Sequence, residues 1–163
     1  LYNLEIMNNL KSLLILLLIF LSSCGFKVID QTNLNNFSIK EIEVEGNNNR
    51  INFKIKNYIL NYAKETSDRE LTIKINTKKR KNVKEKNIKN EITKYSVSLE
   101  SKISIYSLNT GKSYEDTFSA KGNFSVNKKY SSTIDNEKRL IKNLTDQIGD
   151  RIVEAINTKT NDF

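Results

Sequence analysis

The alternation of apolar and polar residues between Lys94 and Ser107 constrains this chain more than any other feature. Tyr95, Val97, Leu99, Ser101, Ile103 and Ile105 fall on one side of an extended backbone; Lys94, Ser96, Ser98, Glu100, Lys102 and Ser104 fall on the other. Successive side chains of a strand point to opposite faces, so this period of two predicts a long half-buried strand. Leu108-Asn109-Thr110-Gly111 reads as a tight turn in which Asn109 or Gly111 takes positive φ. Lys112 to Val126 is the expected antiparallel return, with Phe118, Ala120, Gly122, Phe124 and Val126 facing the core and Gly122 marking a bulge or a close approach.

The remaining elements follow from the same logic. Ser38 to Glu45 alternates around Ile42 and Val44, and Arg69 to Thr77 places Leu71, Ile73 and Ile75 on one face; both read as strands. Between them, Ile51, Ile55, Tyr58, Ile59 and Tyr62 recur at three and four residues, predicting an amphipathic helix over Asn49 to Lys64 after the Gly46 to Asn49 turn. A second stripe of Leu140, Ile141, Leu144, Ile148, Ile152, Val153 and Ile156 predicts a closing helix from about Asp135 to Lys159, with Gly149 permitting close packing. Lys78 to Lys89 carries seven cations against Glu85 and reads as a long hairpin connection or a frayed strand end. Strands with one apolar face need a cover, and two helices supply it. The expected fold is an α+β two-layer sandwich, a four-stranded, mainly antiparallel sheet covered on one face.

Composition narrows the function classes. His, Trp and Pro are absent and there is one Cys, so no internal disulfide, no Cys/His metal site and no His-based triad can form. No loop of calcium-binding spacing is present. No enzyme, cofactor or metal is expected. The net charge of +8 rests on 22 Lys and five Arg beside 23 Asn and 20 Ile. It reads as a general bias toward Lys, Asn and Ile, or as a surface that attracts anions.

The single cysteine has a telling place. Lys11 precedes nine consecutive Leu, Ile and Phe residues, Leu13 to Leu21, and Ser22-Ser23-Cys24 follows. A permanent span needs about 20 apolar residues, so this run fits a secretory signal, with Met7 as a plausible true start. Leu21-Ser22-Ser23-Cys24 resembles the bacterial lipobox. That resemblance implies residues 1–23 as signal peptide, diacylglycerol on the Cys24 thiol, cleavage before it, and acylation of the new amino terminus. Gly25 in place of aspartate implies the outer membrane under the enterobacterial sorting rule. Two or more acyl chains anchor stably where one is marginal. The mature chain then has 140 residues: a lipidated tether over 24–37 and a single periplasmic domain over 38–163. Export argues against a nucleic-acid partner, and no nucleic-acid motif appears.

Cys24-Gly25-Phe26, Tyr95-Ser-Val-Ser-Leu99, Ile105-Tyr-Ser-Leu-Asn-Thr-Gly111 and Tyr130-Ser-Ser-Thr133, in this order, resemble the LPS-assembly lipoprotein family (LptE-like), the lipoprotein subunit of the lipopolysaccharide transport machine. The chain departs from that family in lacking an alanine-rich final helix and in replacing nearly all arginine by lysine. The resemblance implies a non-enzymatic plug within a large outer-membrane β-barrel that helps deliver lipopolysaccharide. On that reading, Ser96, Ser98, Lys102 and Ser104 face the barrel, unless they form an ordinary solvated sheet face. Lys78, Lys79, Arg80 and Lys81 in the first connection, and Lys112 beside the second turn, are candidates for lipid A phosphates, as point charges. The alternative is a periplasmic binding module for an acidic or lipidic ligand, which requires a concave pocket between helices and sheet.

Overall fold

A computed structural model describes residues 36–159. The expected signal peptide and Cys24 lie outside the described residues, as does nearly all of the tether. The elements run β1 (Ser38–Glu45), α1 (Asn49–Leu60), β2 (Glu70–Lys86), β3 (Ile92–Ser107), β4 (Ser113–Ser125) and α2 (Tyr130–Lys159). The sheet has the order β1-β2-β3-β4. β1 and β2 are parallel because a helix crosses between them, whereas β2, β3 and β4 are joined by turns and pair antiparallel. Both helices cover one face, giving the expected two-layer α+β sandwich.

The period-two reading of β3 is realised in the core. Val97, Leu99, Ile103 and Ile105 are fully buried, on the same face of the sheet as Ala120 and Phe124 of β4 and Leu71, Ile73 and Ile75 of β2. Ile51, Ile55 and Ile59 of α1 and Leu144, Ile148, Ile152 and Ile156 of α2 close the layer. Two of the buried polar residues on this side satisfy each other: the Thr77 hydroxyl donates to Ser101 Oγ at 3.0 Å. An unpaired buried hydroxyl would cost about 1–3 kcal/mol.

Two glycines set how closely α2 approaches. A Cβ on Gly122 would meet Leu140 Cδ1 at 2.5 Å, and one on Gly149 would meet the Tyr58 ring at 2.6 Å. The first is the close approach of α2 to β4; the second is the contact between the helices.

Element ends differ from expectation in three places. Of the two readings of the basic run, strand rather than connection holds for most of it: β2 continues nine residues beyond Thr77, to Lys86, and Lys89 lies in the turn that follows. β3 is long enough to provide ladder partners from Leu71 to Lys86, with Lys84 alone passed over at a register shift. The partner is Glu100 for Lys78, Ser98 for Arg80 and Val97 for Lys81, so no cation of β2 faces another cation. α1 stops at Leu60, after which Tyr62 and Ala63 close tighter bonds to Ile59 and Leu60, and Lys64 N–H bonds Phe37 O at 3.0 Å. α2 starts five residues early, at Tyr130. Its first turn is secured by Thr133 Oγ1, which accepts from Asn127 N–H at 2.9 Å. Gly111, with φ 71°, is the positive-φ residue of the β3–β4 turn.

Candidate interaction surfaces

The face of the sheet away from the helices is open, and the ladder dictates what it displays. Ser96, Ser98, Lys102 and Ser104 all lie on it, as the alternation predicts. Successive rows read Lys74–Ser104–Glu115, Asn76–Lys102–Thr117, Lys78–Glu100–Ser119, Arg80–Ser98–Lys121 and Asn82–Ser96–Asn123. The rows differ in charge from one end to the other. Glu43 pairs with Lys74 at 2.7 Å, and Glu41 and Glu45 add to the field there, so the Lys74 ammonium is held above the usual lysine range, chiefly by its bond to Glu43. Glu115 accepts from Ser104 at 2.7 Å and pairs with Lys102 at 3.0 Å; the Ser104 bond first, then Lys102, depresses its pKa. Two of the four predicted interface residues are thus already joined to a neighbour.

Toward the β2–β3 turn the face becomes basic. Lys78, Arg80 and Lys121 carry no salt bridge among the described residues, and Glu100 is the one acid in their rows. Asn82, Lys84, Ser96, Lys121 and Asn123 line a shallow concavity here. Lys121 was not singled out from the sequence, because only the register places it beside Ser98.

The candidate phosphate-binding cluster is divided by the pleat. Lys78 and Arg80 reach the open face, whereas Lys79 and Lys81 turn to the helix face and meet Glu137 of α2 at 3.7 and 2.5 Å. Lys81 also lies over the Tyr95 and Phe124 rings, at 4.5 and 5.0 Å from their centroids. The four do not form one site. Lys112 is farther still: Ser107 N–H bonds Lys112 O at 2.9 Å, and Ser107 pairs with Leu71. Seven residues of β2 separate Leu71 from Lys78, about 23 Å.

The two ends of the sheet are therefore distinct. At one, the chain enters: Asn36 O accepts from Arg69 Nε at 2.8 Å and Ser67 Oγ at 3.0 Å, and the β3–β4 turn joins β2 through Leu108 N–H to Glu70 O at 3.0 Å. At the other, roughly 55 Å along β2, is the β2–β3 turn. Asn87 Oδ1 accepts from Lys89 and Glu91 N–H, both at 2.9 Å, and Asn90 takes φ 64°. This ordered turn holds Ile88 fully exposed between Lys86 and Lys89.

The helix and sheet layers meet through a filled core; the concavities at its surface open to solvent, and one of them lies between β1 and α1 at the edge of the two layers. Among the described residues no cluster of three potential metal ligands is present, and no helix is long and apolar enough to cross a membrane.

No protein-family model and no curated protein sequence matches the chain. Solved structures do. Rare lipoprotein B from Shewanella oneidensis is similar with TM-score 0.57 at 9% identity, over 74% of this chain and 96% of that one. Lipoprotein B from Nitrosomonas europaea aligns with TM-score 0.56 at 14% identity, over 83% and 92%. A minor lipoprotein from Acinetobacter baumannii aligns with TM-score 0.52 at 12% identity, over 77% and 92%. At these identities the likeness establishes the fold, and these three proteins are named as lipoproteins.

Proposed function

We propose that the protein is a non-catalytic outer-membrane lipoprotein, anchored through Cys24, that partners a large β-barrel and assists assembly of lipopolysaccharide at the outer membrane. The observation that carries this reading is the open sheet face, polar along its whole length and graded from acidic at the chain-entry end to basic at the far end. A domain seated in a water-lined barrel must offer hydrogen-bonding groups to a polar wall. Ser96 and Ser98 are available for that wall, and Lys102 and Ser104 present the Glu115 cluster to it. Lys78 and Arg80, with Lys121 beside them, are the cations that meet lipid phosphates. Lys79 and Lys81 brace the helix layer through Glu137, and Lys112 belongs to the anchored end. The lipoprotein fold of the similar structures and the lipobox-like Leu21 to Cys24 support the same placement.

The test is extraction of the tagged chain in mild detergent, followed by depletion in cells. The proposal expects a barrel-sized outer-membrane partner to co-purify and surface lipopolysaccharide to fall on depletion. Recovery of free lipoprotein with unchanged surface lipopolysaccharide overturns it. Replacing Cys24 by Ala is expected to release the chain from the membrane fraction.

A further inference from the structure

The outer edge of the sheet carries a second feature, separate from the open face. β1 is an edge strand, and α1 lies along it so that the two form the walls of a groove of about 720 Å³. Its apolar surface comes from Ile42, Val44 and Phe53, and its rim from Arg50, Lys54 and Lys56. Phe53 is 58% exposed although it sits on an ordered helix. No acid lines the groove: Glu43, between Ile42 and Val44 on β1, turns to the other face to meet Lys74. The walls are fixed in place. Asn52 Nδ2 donates to Glu45 O at 2.8 Å, and Lys56 Nζ to Ile42 O at 3.2 Å. The Lys56 bond occupies a carbonyl of β1, which a docking peptide strand would have to displace.

Charge at the open end points the same way. The first turn of α1 contains no acidic residue and does contain Arg50, and Asn48 gives its side chain to Thr77 O instead of capping the helix. The positive end of the helix dipole is thus reinforced rather than offset. From Asn49 to Lys56 the groove follows two turns, about 10 Å, the length of a short acyl segment.

We infer that the β1–α1 groove binds a single-chain anionic amphiphile, its chain along Ile42, Val44 and Phe53 and its head among Arg50, Lys54 and Lys56. This site is independent of the barrel-facing surface and stands or falls without it.

The chain has no tryptophan, so Phe53→Trp gives a lone reporter in the groove and Leu60→Trp a control at the far end of the same helix. The full chain in nanodiscs of zwitterionic phospholipid is titrated with octanoate, octyl phosphate, octyltrimethylammonium and inorganic phosphate. The inference expects a saturable blue shift of the Phe53→Trp emission with at least one of the two anionic octyl compounds. Neither the cationic octyl compound nor inorganic phosphate should reproduce it, and Leu60→Trp should not move. Preference for octanoate identifies a carboxylate head; preference for octyl phosphate identifies a lipid phosphate. Arg50→Glu or Lys54→Glu should weaken binding about ten-fold or more, and shortening the chain by two carbons about five- to fifteen-fold. An equal response to the cationic compound, an equal shift of Leu60→Trp, or no saturable response overturns the inference.

Discussion

Replacing Gly149 by Ala sets two effects of opposite sign against each other. Gly149 lies inside α2, where alanine is favoured over glycine by about 1 kcal/mol. The new Cβ, however, would sit 2.6 Å from Tyr58 Cδ1, 2.8 Å from Cγ and 3.1 Å from Cε1, where carbon atoms in contact rest at about 3.5–4.0 Å. The ring must yield by about 1 Å. Its Cγ is too close to the α1 backbone to swing away freely. The hydroxyl donates to Asp150 and lies 3.3 Å from Tyr62 Oη, bonds that, Asp150 first, hold the Tyr58 phenol well above the usual tyrosine range. Overpacking of this kind costs about 1–3 kcal/mol, and disturbing the largely exposed tyrosine bonds adds at most about 1 kcal/mol. Packing should win: with the helix preference subtracted, Gly149→Ala is expected to destabilise by about 1–2 kcal/mol, a Tm drop of roughly 3–8 °C. Urea unfolding followed by circular dichroism, repeated in a Tyr58→Ala background, separates the two effects, because without the ring the helix preference alone remains and the change becomes neutral or stabilising. A Gly149→Ala chain as stable as the parent, or more stable, would refute the packing argument.

Other consequences follow from the ladder and the turns. Lys81→Ala should cost about 1–2 kcal/mol in unfolding experiments because it removes the Glu137 pair and the contact with two rings, whereas Lys78→Ala should stay within about 0.5 kcal/mol. Tyr114 donates to Asp116 at 2.5 Å, which pushes the phenol up to about 12 and holds the carboxylate below its ordinary 3.8. The bond therefore stabilises fully from above pH 3.8 up to about pH 10; its contribution fades as pH rises from about 10 through 12 and, separately, as pH falls below 3.8. In an alkaline absorbance titration, Tyr114→Phe should remove a late-ionising tyrosine. Asn90→Val forces a branched side chain into φ 64° and breaks the Lys86 bond to Asn90 Oδ1, at an expected cost of about 1–2 kcal/mol, while Asn90→Gly should be nearly neutral.

Much of the fold was legible because β3 states it. A strand whose inner face is Tyr95 to Ile105 without interruption has one orientation, and its neighbours must present Leu71, Ile73, Ile75, Ala120 and Phe124 to the same side. The helix stripes were equally plain, including the close packing at Gly149. What local pattern did not reveal was the extent of β2. Seven cations between Lys78 and Lys89 resemble a solvated loop, and only a β3 partner that offers Glu100, Ser98 and Val97 opposite them makes a strand tolerable. The strand bears on the candidate site: with Lys78 to Lys81 in β2, Lys79 and Lys81 turn to Glu137 of α2 while Lys78 and Arg80 turn to the open face. The start of α2 was hidden for a similar reason. Ser131, Ser132 and Thr133 are weak helix formers, and the bond from Asn127 to Thr133 that secures them is local in space but absent from any periodicity.

The central claim, that the open sheet face meets an outer-membrane barrel, is tested most directly by placing a photo-crosslinking residue at Ser98 or Ser104 in living cells. A matched position at Gln147, on the exposed side of α2, provides the comparison. The account predicts that Ser98 and Ser104 each yield an adduct with one large outer-membrane β-barrel protein. Adducts from Gln147 alone, or none from either sheet position, would contradict it.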